Sequence, residues 1–320
     1  MMKPYNSKIQ DLINSQTIIM KFHTSSIILS ALSISKRSIY GVNAECEPFE
    51  YPTCGDCWCS PSYDCPEWEP ETYSCDTIAE LKAQVPDNIY TIDCNPYAEG
   101  DCVTDPVQEY VELGDEAVCG LKYYSDVEGK SCTNYVMESY ESWEQAEADG
   151  AFVTHIRSCG VCSTTEDLAA YMGNPTLEEE SIKCTVRGLI DFDDGIACYR
   201  DSGLTEECAK MWLYDGYHTT KECTKICLAE LKKDDGDVPA NGPPPECELS
   251  KCLECDEELS GPIFVDYAGR IRRTSGLLSS IVRPCEGFVQ ITHEPCPINA
   301  VTMERAFIQR EGNVILSSSR

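Results

Sequence analysis

Cys159-Gly160-Val161-Cys162 is the segment of this chain whose residue types and spacing come closest to chemistry. Two thiols three positions apart can form and break a disulfide. A thiolate held near a helix N-terminus has a lowered pKa and attacks more readily at neutral pH. The flanking residues supply such a setting. Phe152-Val153-Thr154-His155-Ile156 reads as a short strand, and Ser163-Thr164-Thr165-Glu166 is a capping box that predicts a helix through Met172, ended by Gly173-Asn174-Pro175. On this reading Cys159 is the attacking thiol and Cys162 the resolving one. The same residues offer a metal set as the weaker alternative, with His155, Cys159 and Cys162 joined by Cys184 as a fourth ligand. Structural cross-linking is the leading reading, because the pair stands among twenty other cysteines.

The strand, the Cys-Gly-x-Cys turn and the capped helix resemble the redox element of thioredoxin-like proteins. The resemblance implies thiol-disulfide exchange, but it departs from that family at Ser158, where a tryptophan is usual, and at Val161, where a proline is usual. No Thr-Pro follows at a suitable distance, since Pro175 is too close and Pro239 lies in a linker. Cys54-Gly55-Asp56-Cys57-Trp58 resembles the nucleophile segment of papain-like proteases. Asp56 replaces a small residue there and Tyr51 replaces the oxyanion-hole glutamine, and His155, His218 and His293 sit in no partner motif. A broader pattern joins His155, Cys159 to Ser163, Asp167-Leu168-Ala169-x-Tyr171 and Gly269-Arg270-x-Arg272-Arg273-x-Ser275-Gly276-Leu277. It resembles uncharacterised secreted cysteine-rich proteins of microalgae, which implies secretion and cross-linking and no particular activity.

Other residues suggest binding. Arg270, Arg272 and Arg273 form a basic island in an acidic chain, suited to a sulphate, phosphate or carboxylate ligand, or to pairing with the protein's own acidic surface. Trp58 and Trp68, with Tyr51 and Tyr63, lie among six closely spaced cysteines from Cys46 to Cys75. They could stack on sugar rings or fill the space between bridges. Cys54-x-x-Cys57 and Cys252-x-x-Cys255 are zinc-like knuckles that oxidation would consume. Asp191-x-Asp193-Asp194-Gly195 starts with calcium-like spacing but lacks the glycine and terminal glutamate of an EF-hand loop, so it reads as an acidic loop.

The twenty-two cysteines run from Cys46 to Cys296, and none falls within the first 45 residues. Ahead of them, Lys21 to Ala44 combines a basic start, a short apolar run from Ile27 to Ile34 and the small residues Val42-Asn43-Ala44. Residues 1–44 therefore read as a signal peptide, with Met20 as an alternative start that would make 1–19 an extension. The apolar run is far below the roughly 18 residues of a membrane span. Secretion is expected, or delivery to a cell wall or vesicle lumen, with the thiols oxidised. Formal net charge is −30, and without residues 1–44 the chain keeps 54 acidic against 20 basic residues. Such a surface disfavours nucleic acid and anionic membranes. It leaves an extracellular polymer, a cation or another protein as partners, with no cofactor expected beyond a divalent cation.

These residues need elements to position them. Residues 45–131 read as a loop-rich module of cysteine, tyrosine and proline, with one helix over Thr77–Val85 capped by Asp76. Residues 132–235 read as a cross-linked helical region, with helix formers over Glu138–Ala148 and helices over Leu177–Leu189, Thr205–Tyr214 and Thr220–Lys232. Cys223 and Cys227 share a helix face and are expected to reach two different neighbours. Residues 236–246 read as a proline-rich linker. The C-terminal region, 247–320, holds five cysteines, an odd number that requires a bridge across the linker if all are paired, with Cys247 the natural candidate. The expected fold class is α+β, mainly helical and irregular, and the expected protein is a secreted, disulfide-stabilised binding or structural one. Extracellular thiol-disulfide oxidoreductase is the alternative.

Overall fold

The structure is a computed structural model that describes residues 73–98, 102–106, 116–123, 132–174, 177–231, 241, 248–277, 281 and 289–295. In chain order α1 (Cys75–Lys82) leads to β1 (Val85–Pro86), β2 (Thr91–Ile92), β3 (Thr104–Asp105), β4 (Val118–Tyr123) and β5 (Asn134–Tyr140). Then come α2 (Trp143–Ala148), β6 (Phe152–Ile156), α3 (Thr165–Gly173), α4 (Leu177–Ile190), α5 (Phe192–Asp201) and α6 (Glu206–Leu231). The last elements are α7 (Lys251–Leu259), α8 (Gly261–Ala268) and a 3-10 turn at Arg273–Ser275.

Strands β1, β5, β4 and β6 form one sheet in that order, with β4 antiparallel to both neighbours and β1 parallel to β5. Side chains alternate between its two faces. Cys119, Leu121, Tyr135 and Met137 enter the main core beneath the helices, while Val118, Tyr140 and Val153 pack on the other face with Ala146, Ala151 and Ile291. Short oxygen-bearing side chains start the helices by accepting from free backbone N–H groups. Ser74 accepts from Thr77, Ser142 from Gln145, Thr164 from Asp167, and Ser250 from Leu253.

Six disulfides join described cysteines: Cys94–Cys102, Cys119–Cys159, Cys162–Cys208, Cys184–Cys198, Cys223–Cys255 and Cys227–Cys252. Cys75 and Cys132 are disulfide-bonded as well. The result is a disulfide-rich α+β fold, as expected from composition. The last two bridges cross residues 236–246 through Cys252 and Cys255; full pairing of five cysteines needs an odd number of crossings, and the other three, Cys247, Cys285 and Cys296, lie outside the described residues.

Several local expectations need correction. Glu138–Ala148 is not one helix: Tyr135 and Met137 alternate inward on β5 through Tyr140, and Ser142 then caps the short α2. Ser74, not Asp76, caps α1, and Thr164, one residue later than the capping box suggests, caps α3. The helices expected over Thr205–Tyr214 and Thr220–Lys232 are one, α6. Gly216 does not break it but lets α4 approach, for a Cβ there would lie 2.1 Å from the Thr185 hydroxyl. Asp191 is not in an acidic loop; its carboxylate accepts from the N–H groups of Asp193 and Asp194 and caps α5. Cys223 and Cys227 reach not two neighbours but one helix, α7.

Candidate functional site

The turn between β6 and α3 is where β4, α6 and the end of α8 come together. Gly160 packs on the C-terminal end of α8, where a Cβ would lie 2.4 Å from the Tyr267 carbonyl oxygen. Val161 N–H donates to that oxygen at 3.0 Å, and Cys162 N–H donates to Ala268 O at 2.9 Å. Gly269, at φ +73°, closes the contact from the other side, with its missing Cβ 2.6 Å from Gly160 N. Only glycine satisfies both the close approach and the left-handed backbone.

This docking separates the two cysteines of the Cys-Gly-x-Cys turn. Cys159 is bonded to Cys119 of β4 and Cys162 to Cys208 of α6, and all four are fully buried. The pair therefore does not form its own disulfide. Both sulphurs lie ahead of the α3 cap at Thr164, so the arrangement needed for an attacking Cys159 and a resolving Cys162 is not assembled. The metal set fails for the same reason. Its three sulphurs are held in bridges, Cys184 being bonded to Cys198, and a disulfide sulphur is no thiolate ligand. Among the described residues no group of three or more His, Cys, Asp or Glu is placed to hold a metal ion. His155 instead faces Ser163, its Nε2 2.9 Å from the hydroxyl oxygen, while that oxygen accepts from Gly160 N–H at 2.8 Å.

The basic island also turns inward. Arg270 is fully buried and makes five hydrogen bonds to neutral acceptors. Nε donates to Cys162 O, Nη1 to Thr154 O and Ser275 Oγ, and Nη2 to Thr154 Oγ1 and Ser163 O, all at 3.1–3.3 Å. Burial pulls its pKa down to about 10, against the attraction of Asp167, so it stays a cation at neutral pH. Arg272 is buried too; its Nη2 donates to the carbonyls of Tyr171 and Asn174 at the C-terminal end of α3, where a cation complements the helix dipole. Arg273 is half-buried, and its carbonyl accepts from Val289 N–H. Among the described contacts, Arg270 and Arg272 thus donate to interior hydroxyls and carbonyls of different segments and do not share one surface site. Trp58 and Trp68 lie outside the described residues.

Sequence reasoning overlooked Asp167 as a site residue. It is fully buried, accepts from Thr164 Oγ1, Thr205 N–H and Thr205 Oγ1, and so ties α3 to the start of α6. Burial raises its pKa to about 6, opposed by these hydrogen bonds. A second overlooked cluster joins α6, α7 and α8. Tyr97 donates to Asp215 Oδ1 at 2.7 Å and stacks on His218 at 4.5 Å between ring centroids. His218 Nδ1 lies 2.9 Å from Ser260 Oγ, and Thr219 donates to Asp256. Burial, and then the neighbouring charge of Asp256, raise the Asp215 pKa well above the usual carboxylate range. The i,i+3 spacing of Asp215 and His218 and the i,i+4 spacing of Asp256 and Ser260 were visible; that the two faces meet was not.

Residues 192–291 match the model of a family of unknown function (DUF8771). The match spans about a third of the chain, from the start of α5 to Ile291. It takes in Arg270, Arg272, Arg273 and, of the second cluster, Asp215, His218, Thr219, Asp256 and Ser260, but not Tyr97, His155, Cys159, Cys162 or Cys184. No curated protein and no solved structure matches the chain. Among the described residues no helix is long and apolar enough to cross a membrane. Bridges at this density fit a protein that folds in an oxidising, extracellular-type compartment.

Proposed function

We propose that this chain is a non-enzymatic extracellular or cell-surface protein with a binding or structural role, its partner a polymer, a cation or another protein. One observation carries the reading. The thiol pair with the most catalytic setting is divided between two fully buried bridges to different elements. The neighbouring polar groups, His155, Ser163 and Arg270, are likewise occupied with one another and with backbone. The net charge of −30 favours cationic or basic partners over anionic ones.

A non-reducing peptide map after maleimide treatment of the native protein tests the reading. Cys119–Cys159 and Cys162–Cys208 peptides are expected, with neither Cys159 nor Cys162 labelled, and no catalysis of insulin reduction by dithiothreitol. A Cys159–Cys162 peptide, or catalysed reduction, would restore the oxidoreductase alternative and sink this one. If the aromatic segment binds a polymer, Trp58→Ala with Trp68→Ala should abolish retention of the protein on insoluble cell-wall polysaccharide.

A further inference from the structure

Arg270 is the centre of a chain of hydrogen bonds with a histidine at each end. On one side Ser163 accepts from the guanidinium through its carbonyl and meets His155 Nε2 through its hydroxyl, at 3.1 and 2.9 Å. On the other side Ser275 accepts from the guanidinium through its hydroxyl and from His293 Nε2–H through its carbonyl, at 3.3 and 2.7 Å. One serine therefore separates each imidazole from the same buried cation. His155 and Arg270 are fully buried and His293 is 6 % exposed.

The bonding at His155 suits the neutral ring. Its Nδ1 donates to Ile156 O at 3.1 Å, which leaves Nε2 to accept the Ser163 hydroxyl proton. A proton on Nε2 would turn that acceptor into a donor, and the Ser163 hydroxyl, which accepts from Gly160 N–H with one of its two lone pairs, would have to turn its own hydrogen away from the ring.

His293 also pins a strap, residues 289–295. Val289 N–H donates to Arg273 O, and Ile291 fills the cluster on the outer sheet face. The backbone of Ile291 lies directly against Gly276, whose missing Cβ would be 2.7 Å from Ile291 N. Tyr73 packs on the His293 ring at 5.9 Å, and Gln84 donates to Pro295 O.

We propose that His155 and His293, bridged through Ser163 and Ser275 to Arg270, form an acid-sensitive latch that holds the 289–295 strap closed at neutral pH and releases it when the imidazoles take up protons. The charged and titratable groups around the latch do not oppose this. From the segment after α8 come Arg270 itself, Arg272, which is turned toward the end of α3, and Arg273. From α3 comes Asp167, which interacts with Arg270 but is pushed up to about 6, so acid removes that negative charge as well. The phenols of Tyr135 and Tyr171 are pushed up by burial and stay neutral across this range, and on the strap Glu294 is exposed to solvent. On β4, Lys122 is engaged with Asp149 and Glu138. Burial and the Arg270 charge hold His293 down to about 3 and His155 well below its ordinary value. Protonation would add a second and third positive charge within one serine of the buried guanidinium, so protonation and opening are linked. The latch is independent of what the protein binds.

Hydrogen–deuterium exchange of the full, oxidised chain between pH 7.5 and 4.5 tests the latch. Protection of peptides covering 289–295, corrected for intrinsic rates, should fall by roughly tenfold for each pH unit below the ordinary histidine value while α4 and α5 stay protected. His293→Gln keeps a donor for Ser275 O but cannot titrate, so its strap should lose markedly less protection by pH 4.5 than the wild type, with His155 alone left to titrate. Unchanged wild-type protection, or an equal loss in His293→Gln, overturns the proposal. Should that variant not fold, the wild-type imidazole resonances decide: His293 should titrate only as the strap opens. A ring that titrates normally beneath a protected strap overturns the latch.

Discussion

Arg270 shows how a residue's type can be legible while its role is not. Three arginines in eight residues stand out in an acidic sequence, and charge alone suggests a surface ligand. Nothing in the sequence says that Gly269 and Gly160 let backbone meet backbone, carrying the guanidinium into a ring of carbonyls left over from the β6–α3 turn. Arg270→Met should destabilise the fold by about 3–5 kcal/mol in non-reducing urea titrations, because Thr154 O, Cys162 O and Ser163 O would be left buried with fewer donors. Arg270→Lys should recover only part of that loss, since an ammonium has three donors and no planar fork. Asp167 gives a pH signature of its own. Burial lifts its folded pKa from the ordinary 3.8 to about 6, so its contribution is full below about pH 4 and lost as pH rises through about 6. Asp167→Asn removes that dependence. Relative to the wild type, the variant should gain on the order of 3 kcal/mol between pH 4 and pH 8 in urea titrations, and a flat difference would refute the assignment.

At the scale of elements, local patterns carried well where one residue decides the matter. Phe152–Ile156 is a strand, and Leu177–Ile190 is a helix one residue longer than its pattern indicates. The pattern misled where tertiary contact overrides propensity. Gly216 looks like the end of a helix because glycine costs about 1 kcal/mol in a helix interior. In the fold it sits mid-way along α6, because α4 crosses there and Thr185 occupies the space a side chain would need. This reverses the sign expected for a routine helix-stabilising change. Gly216→Ala should lower stability by about 1–3 kcal/mol, since the β-branched Thr185 has little freedom to move. Adding Thr185→Ala should return much of that loss, read as a non-additive pair of melting temperatures. A Gly216→Ala protein more stable than wild type would mean that α4 does not approach α6 at that residue. The same helix shows why Cys223 and Cys227 could not be assigned. Their shared face was evident, but one antiparallel neighbour supplies both partners through Cys255 and Cys252, and sequence spacing does not distinguish one neighbour from two.

At the scale of the whole molecule, composition was the most reliable guide. Many cysteines with few long aliphatic runs predict cross-links in place of part of a core, and the bridges hold the elements in that way. Cys119–Cys159 fastens the sheet to the β6–α3 turn, Cys162–Cys208 fastens that turn to α6, and two bridges fasten α6 to α7. Each such bridge contributes about 2–4 kcal/mol, a large part of the total stability of an ordinary domain. Reduction is therefore expected to follow burial. Among the described bridges Cys94–Cys102 and Cys227–Cys252 are half-buried at both cysteines, so these two should open first under mild dithiothreitol with the helical circular dichroism largely unchanged. Cys119–Cys159 and Cys162–Cys208 have no exposed sulphur for a thiolate to attack until the core opens. Their thiols should appear together, and with them the helical signal should collapse. The acidic charge sharpens the test, because self-repulsion in a chain of net −30 favours the opened state and salt screens it. Raising ionic strength should therefore delay the second phase and leave the first nearly unchanged. Early release of Cys159 or Cys162, with the helices intact, would mean that the turn is accessible and that the buried frame around Arg270 is not what holds the molecule together.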